Sequence, residues 1–286
     1  MSTKRLSLAL KNGSSTGNNQ ATRRCITSTK RPHNETDQCH EEKEINDKQI
    51  KPITYKLYQK FLAELSGTCL LLYIGGGGPV FCEGNLVAPA LLSGFVITTT
   101  VYIFYKISGA HFNPAISIPL YLRNLLPLKD MLLYILAQFI GAFIGCILIA
   151  LCRKGKFDKL GATKVQNYII NLGKEQKLDS WCYVSALACE FICTFILILF
   201  GFSVSEKNNK LGNAVGLGYG VLLVMLILIG ANVSGSSFNP ARALAQAVLQ
   251  AIGGGDKEPL KQIWIFFVGP MGGGIVAAFY WKIFEI

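Results

Sequence analysis

Two carboxylates and two Asn-Pro-Ala tripeptides stand in the same register in both halves of this chain. Asn113, Pro114 and Ala115 follow Phe112, and Asn239, Pro240 and Ala241 follow Phe238. A Glu lies 49 positions before each Asn, Glu64 and Glu190, with a Thr four residues further on, Thr68 and Thr194. Gly94 and Gly220 each precede their Asn by 19. A frame held over fifty residues marks an internal duplication, so each half supplies one copy of whatever the tripeptide does.

An Asn followed by Pro is a helix start: the Asn side chain caps, and Pro is favoured in the first turn. The apolar stretches that follow, Ile116 to Leu122 and Leu244 to Ile252, are too short to cross a bilayer. They read as re-entrant half-helices, whose unsatisfied backbone groups must face protein or a water-filled cavity. Each half-helix then aims a positive dipole end at the membrane midplane, which penalises a passing cation. The Asn113 and Asn239 amides are donors for the oxygen of a neutral molecule. A water held by both through its oxygen turns its hydrogens outward, and proton hopping along the file is broken. Glu64 and Glu190 lie on apolar segments, where an ionisable residue is costly and is functional or paired by default. Their shared offset favours a role as acceptors for re-entrant loop N–H groups over snorkelling at a helix end.

Six apolar segments must position these groups: about Phe61 to Ile74, Leu86 to Ile107, Met131 to Cys152, Tyr183 to Phe202, Leu211 to Ala231 and Ile263 to Ile283. Half of the 286 residues are hydrophobic, and the chain reads as an all-α membrane protein of six transmembrane helices plus two half-helices. An odd number of spans separates the copies, so they insert in opposite senses as an inverted repeat. Repeat 1 runs over about 56–170 and repeat 2 over about 180–286. Residues 1–55 are polar and basic, lack the apolar region of a cleavable signal, and are expected to be disordered. Their Lys and Arg place the N-terminus, and with six spans the C-terminus, in the cytoplasm. Seven basic residues between Arg153 and Lys177 would then face outward, which opposes that orientation. Plasma and vacuolar membranes both remain open.

The net charge of +11 belongs mostly to tail and loops. Without aromatic interleaving or a folded module to present it, the charge implies an anionic lipid leaflet as neighbour and no nucleic acid. Nine Cys occur without a C-x-x-C pair, and two of the three His lie in the tail, so no metal set, cofactor or catalytic constellation is implied. Cys82 and Cys182 fall on connections of one side but are expected to stay unpaired. A secondary transporter shares broken helices and inverted repeats, yet it would need a coupling-ion site, and Glu64 and Glu190 are the carboxylates the spans offer. A scaffold with a closed pore would carry the same residues.

From Tyr55 to Ile286 the chain resembles the major intrinsic protein family, the aquaporins and aquaglyceroporins. The resemblance rests on both Asn-Pro-Ala boxes, Ser108-Gly109-Ala110-His111 before the first, Arg242 after the second, and Glu64 and Glu190. It implies a homotetramer with a pore in every subunit and passive flow of water or small neutral solutes. It also implies a selectivity ring on the outer side, which by offset from each Asn falls on Ser93, Ile227, Ser236 and Arg242. Arg242 fits the family pattern, whereas Ser93 and Ile227 replace the aromatic and His of a strict water filter. The ring is therefore expected to be wider and to admit a solute such as glycerol, urea or ammonia. Ala243 in place of the Asp typical of glycerol facilitators, and Tyr280-Trp281 near the end, resemble the water-selective branch instead.

Overall fold

The structure, a computed structural model, describes residues 54–166, 178–205 and 212–284. The basic tail, the join between the repeats at 167–177 and the beginning of the fifth expected span lie outside the described residues. Eight helices carry the architecture. In repeat 1 they are α1 (Leu57–Leu70), α2 (Val87–Ser108), the half-helix α3 (Pro114–Leu122) and α4 (Leu128–Cys152). In repeat 2 they are α5 (Ser180–Ser205), α6 (Val215–Gly230), the half-helix α7 (Pro240–Ile252) and α8 (Ile263–Trp281). The described residues form no strand. Among the described residues five segments are long and apolar enough to cross a membrane, and α6 is an apolar helix of 16 residues.

The ends of these helices follow from their sequences. Asn113 and Asn239 have extended backbones, and each side-chain oxygen accepts from the N–H two residues on, at Ala115 (2.9 Å) and Ala241 (3.0 Å). Pro at the first helical position then sacrifices only an N–H that would have been orphaned. At the other extreme α1 does not stop cleanly. It passes into a π-helical turn over Leu71–Gly76, where the glycine run begins. The wider turn leaves carbonyls free for other partners: that of Gly75 accepts from the Ser93 hydroxyl (3.4 Å) and that of Gly76 from the Gln246 amide.

Small residues set how closely the helices pack. A Cβ on Gly141 would sit 2.3 Å from the Leu65 carbonyl, and one on Gly273 would sit 2.2 Å from that of Phe191. The α1/α4 crossing in repeat 1 and the α5/α8 crossing in repeat 2 are thus built the same way, by backbone-to-backbone approach. Gly94 and Gly220, the glycines of equal offset, meet each other where α2 crosses α6: a Cβ on either would lie 2.6 Å from the other's carbonyl oxygen. The repeated glycine is therefore a point of close contact between the two repeats. Many of the large apolar side chains, Phe95, Leu151, Trp181 and Ile229 among them, point outward from the helix bundle.

Candidate functional site: a pore between the two half-helices

The re-entrant loops are bent into a conformation that L-residues resist. Ahead of each Asn, Gly109 and Gly235 have φ of 89° and 81°, Ala110 and Ser236 have 57° and 54°, and Phe112 and Phe238 both have 53°. Left-handed backbone costs a non-glycine residue roughly 1–2 kcal/mol, and here two such residues in each half adopt it. The two glutamates offset that cost. Glu64 accepts from the Ser108 hydroxyl (2.6 Å), the N–H of His111 (2.9 Å), the N–H of Phe112 (2.7 Å) and the Gln138 amide (2.8 Å). Glu190 accepts from the Ser234 hydroxyl (2.7 Å) and the N–H groups of Ser237 (2.9 Å) and Phe238 (2.7 Å). Both carboxylates are completely buried, and every acceptor bond they make removes desolvation cost from the anion as well as strain from the loop.

The loops present their Asn side chains to each other. The Asn113 amide donates to the carbonyl of Phe238 at 2.7 Å, and the Asn239 amide donates to the carbonyl of Phe112 at 2.8 Å. Each amide nitrogen has two hydrogens, so one ties the halves together and the other remains for the lumen that both residues line. This arrangement puts the N-termini of α3 and α7 head to head.

Three cavities run through the molecule along this line. A neck of 60 Å³, lined by Asn113, Asn239 and Arg242, joins a cavity of 580 Å³ beside Lys60 and Asp130 to one of 410 Å³ beside Asn85 and Gln166, named inner and outer after the orientation expected from the sequence. With about 10–15 Å³ needed per water on this measure, the neck holds roughly four to six in file. Neck and outer cavity share Gly75, Ser93 and Arg242; neck and inner cavity share six residues, Tyr105, His111 and Tyr219 among them.

The four ring positions do not contribute alike. Ser93 and Arg242 stand at the outer end of the neck, and Ile227 lines the outer cavity. Ser236 turns its hydroxyl to the Ile227 carbonyl (3.3 Å) and offers its own carbonyl to Arg242 Nη1 (3.0 Å). Phe95, the nearest aromatic in sequence to Ser93, is 61% exposed on the outside of the bundle and does not fill the space beside it.

Several supporting residues escape a reading of the sequence because they occur once. Arg242 Nε donates to Gln246 Oε1 at 3.3 Å, and Gln246 Nε2 donates to the carbonyls of Gly76 (3.1 Å) and Leu160 (2.7 Å). Gln250 and Gln262 accept the N–H groups of Leu160 and Val165, both at 2.8 Å. Three glutamines thus strap the connection after α4 across the outer cavity and hold Arg242 along its wall. Of the five guanidinium donors, two have protein acceptors among the described residues. In repeat 1 Gln138 bridges Glu64 and the Ser117 hydroxyl (3.0 Å), which in turn meets His111 Nδ1 at 3.0 Å. The spacing of Arg242, Gln246 and Gln250, four residues apart on one helix, was the available signal. Cys82 and Cys182 are both free thiols, and no group of three or more His, Cys, Asp or Glu among the described residues could hold a metal ion.

The chain matches the family model described as "Major intrinsic protein" over residues 51–281. It is 31% identical to the "Glycerol uptake facilitator protein-like 6" of Lactiplantibacillus plantarum, over 77% of this chain and 95% of that protein. It is 30% identical to Nodulin-26 of Glycine max, over 81% and 79% of the two chains. It is also 30% identical to Aquaporin NIP1-1 of Oryza sativa subsp. japonica, over 79% and 74%. Among solved structures, the aquaglyceroporin from Plasmodium falciparum superposes with a TM-score of 0.67 over 79% of this chain and 96% of its own, at 24% identity, a likeness of fold. With two half-helices meeting tip to tip inside an all-α bundle, this chain belongs to the major intrinsic protein family of membrane channels.

Proposed function

We propose that the protein is a passive channel for water and small neutral solutes of the size of glycerol, urea or ammonia, and that it excludes ions and protons. The observation that carries this reading is the 60 Å³ neck, bounded by two helix N-termini, two Asn amides and a guanidinium. The two helix N-termini, the Asn113 and Asn239 amides and the Arg242 guanidinium all turn positive ends or hydrogen-bond donors toward the neck. A neutral oxygen is welcome there, and a cation meets only repulsion. Glu64 and Glu190 hold the loops, while Ser93, Ile227, the Ser236 carbonyl and Arg242 form the outer ring. Small side chains in that ring, together with the relative named as a glycerol uptake facilitator, support including solutes larger than water.

In this reading the family's homotetramer places one pore in each subunit. Residues 1–55 form a cytoplasmic tail, and 56–286 form the channel with both termini inside. Osmotic swelling of lipid vesicles holding the purified protein is the test. Water and solute flow that is unsaturable and independent of any ion gradient is expected. Saturable, gradient-coupled uptake would identify a transporter instead, and vesicles no more permeable than empty ones would overturn the channel reading.

A further inference from the structure

The two ends of the neck are built from very different side chains. Where it meets the outer cavity the shared lining is Gly75, Ser93 and Arg242. Two of these are small, and the third is tied back along the wall through the Ser236 carbonyl and Gln246. Where it meets the inner cavity the shared lining includes Tyr105, His111, Ile116 and Tyr219, one each from α2, the first re-entrant loop, α3 and α6. Gly109 and Ala110 complete this shared lining, to which four elements each contribute a larger side chain.

Tyr219 is held there by its neighbours. Its ring stands edge-on to Phe200 at 4.9 Å and 90°. Its hydroxyl fills the slot over Gly201, where a Cβ would come within 2.6 Å of the phenolic oxygen. The ring therefore spans from α6 to α5 and closes that corner of the lumen. Among the described residues no protein group hydrogen-bonds the Tyr219 hydroxyl, which leaves it to water or solute.

We infer that the size cut-off of this channel is set at the inner mouth of the neck, by Tyr105 and Tyr219, and not by the outer ring. The inference rests on the channel reading above and deepens it. Aromatic bulk that Ser93 withholds from the outer end is supplied at the inner one, with two phenolic hydroxyls and the His111 ring to hydrogen-bond a small neutral solute in passage. Discrimination by such a wall depends on both diameter and polar groups.

The test uses the full-length protein in lipid vesicles, with stopped-flow permeabilities for water, urea, glycerol and a four-carbon polyol. Tyr219→Ala and Tyr105→Ala are each expected to raise polyol permeability relative to water by about tenfold or more, the scale on which loss of a packed group relaxes discrimination. Tyr219→Phe, which keeps the ring, is expected to keep the wild-type cut-off, assigning the effect to bulk. Gly201→Ala retains both tyrosines but pushes the Tyr219 ring into the lumen, and it is expected to lower solute flow more than water flow. Wild-type vesicles that conduct, with the same cut-off in both Tyr→Ala variants and in Gly201→Ala, would overturn the sieve while leaving the channel reading intact. Wild-type vesicles no more permeable than empty ones would overturn both. A Tyr→Ala variant that fails to assemble leaves Gly201→Ala to decide.

Discussion

Replacing Glu190 by Gln changes one oxygen to an amide nitrogen without changing shape, and the geometry around it states what must follow. If the nitrogen takes the place of the oxygen facing Phe238, it confronts the Phe238 N–H, a donor against a donor. If it takes the other place, it confronts the Ser237 N–H and the Ser234 hydroxyl, whose oxygen already accepts from Ser236 N–H at 3.1 Å. Either way at least one buried backbone donor is orphaned, at about 1–3 kcal/mol, and the remaining bonds lose their charge assistance. Removal of a buried charge offsets part of this, leaving a net loss of about 2–4 kcal/mol. At about 1.4 kcal/mol per factor of ten, the ratio of seated to unseated loops falls by roughly 30- to 1000-fold. That loop carries Phe238 in its left-handed conformation and supplies the carbonyl that holds Asn113. Water permeability per protein, read by stopped-flow light scattering, should therefore fall, together with the temperature at which the detergent-solubilised protein loses its helical circular dichroism. Wild-type values for both quantities in Glu190→Gln and in Glu64→Gln would refute the argument that these carboxylates seat the loops.

Arg242→Val should admit protons or small cations: a unit charge about 5 Å from a guanidinium at an effective dielectric of 20 is opposed by about 3 kcal/mol, roughly a hundredfold in rate. Proteoliposomes loaded with a pH dye measure it, and a proton flux equal to wild type would sink the reading. Ser93→Phe should block glycerol while sparing most water flow, because the residue lies at the outer end of the neck beside Gly75, and unchanged glycerol flow would show that this end has room to spare. On the outer loops the Lys164 ammonium holds the Asp256 carboxyl below its ordinary range, and the Arg153 guanidinium does the same for Asp158. A lowered carboxyl contributes stability above its unfolded value, near 3.9, and loses it as pH falls through the folded one. The strap at 153–166 should thus stay docked at pH 5 and loosen only below about pH 4, read as pepsin cleavage within it normalised to an unfolded peptide. Equal normalised cleavage at pH 5 and pH 3 would show that these ion pairs do not hold it.

What repeats in this chain was legible, and what occurs once was not. The frame linking Glu64 to Asn113 and Glu190 to Asn239 is visible because duplication printed the same offsets twice; it singled out the carboxylates, the half-helices and the paired Gly94 and Gly220, though not that these two glycines meet. Gln138 and Gln246 have no such echo. A lone polar residue in an apolar helix could satisfy a loop, line a lumen or face a partner, and only the fold decides between them. Offset counting pointed to Ser236 but not to its carbonyl, the atom that meets Arg242, because a backbone carbonyl is invisible to residue type. Tyr105 and Tyr219 were hidden for the same reason: an aromatic on a span is by default a packing residue, and the convergence of four elements on one lining is a property of three dimensions.

The paired Asn bonds carry a consequence for biogenesis. Asn113 takes its carbonyl partner from a residue 125 positions later in the chain, and Phe112 gives its own carbonyl to one 127 positions later. At about 5–20 residues per second of synthesis, the first re-entrant loop waits roughly 6 to 25 seconds in the membrane before those partners exist. The bonds available in that interval come from within its own half: Glu64 accepts the loop N–H groups, Gln138 steadies Glu64, and the Tyr134 hydroxyl donates to the Ser108 carbonyl. Glu64 therefore acts as scaffolding during assembly, holding an unfinished loop in a bilayer that offers it nothing, until the second half arrives to lock the centre.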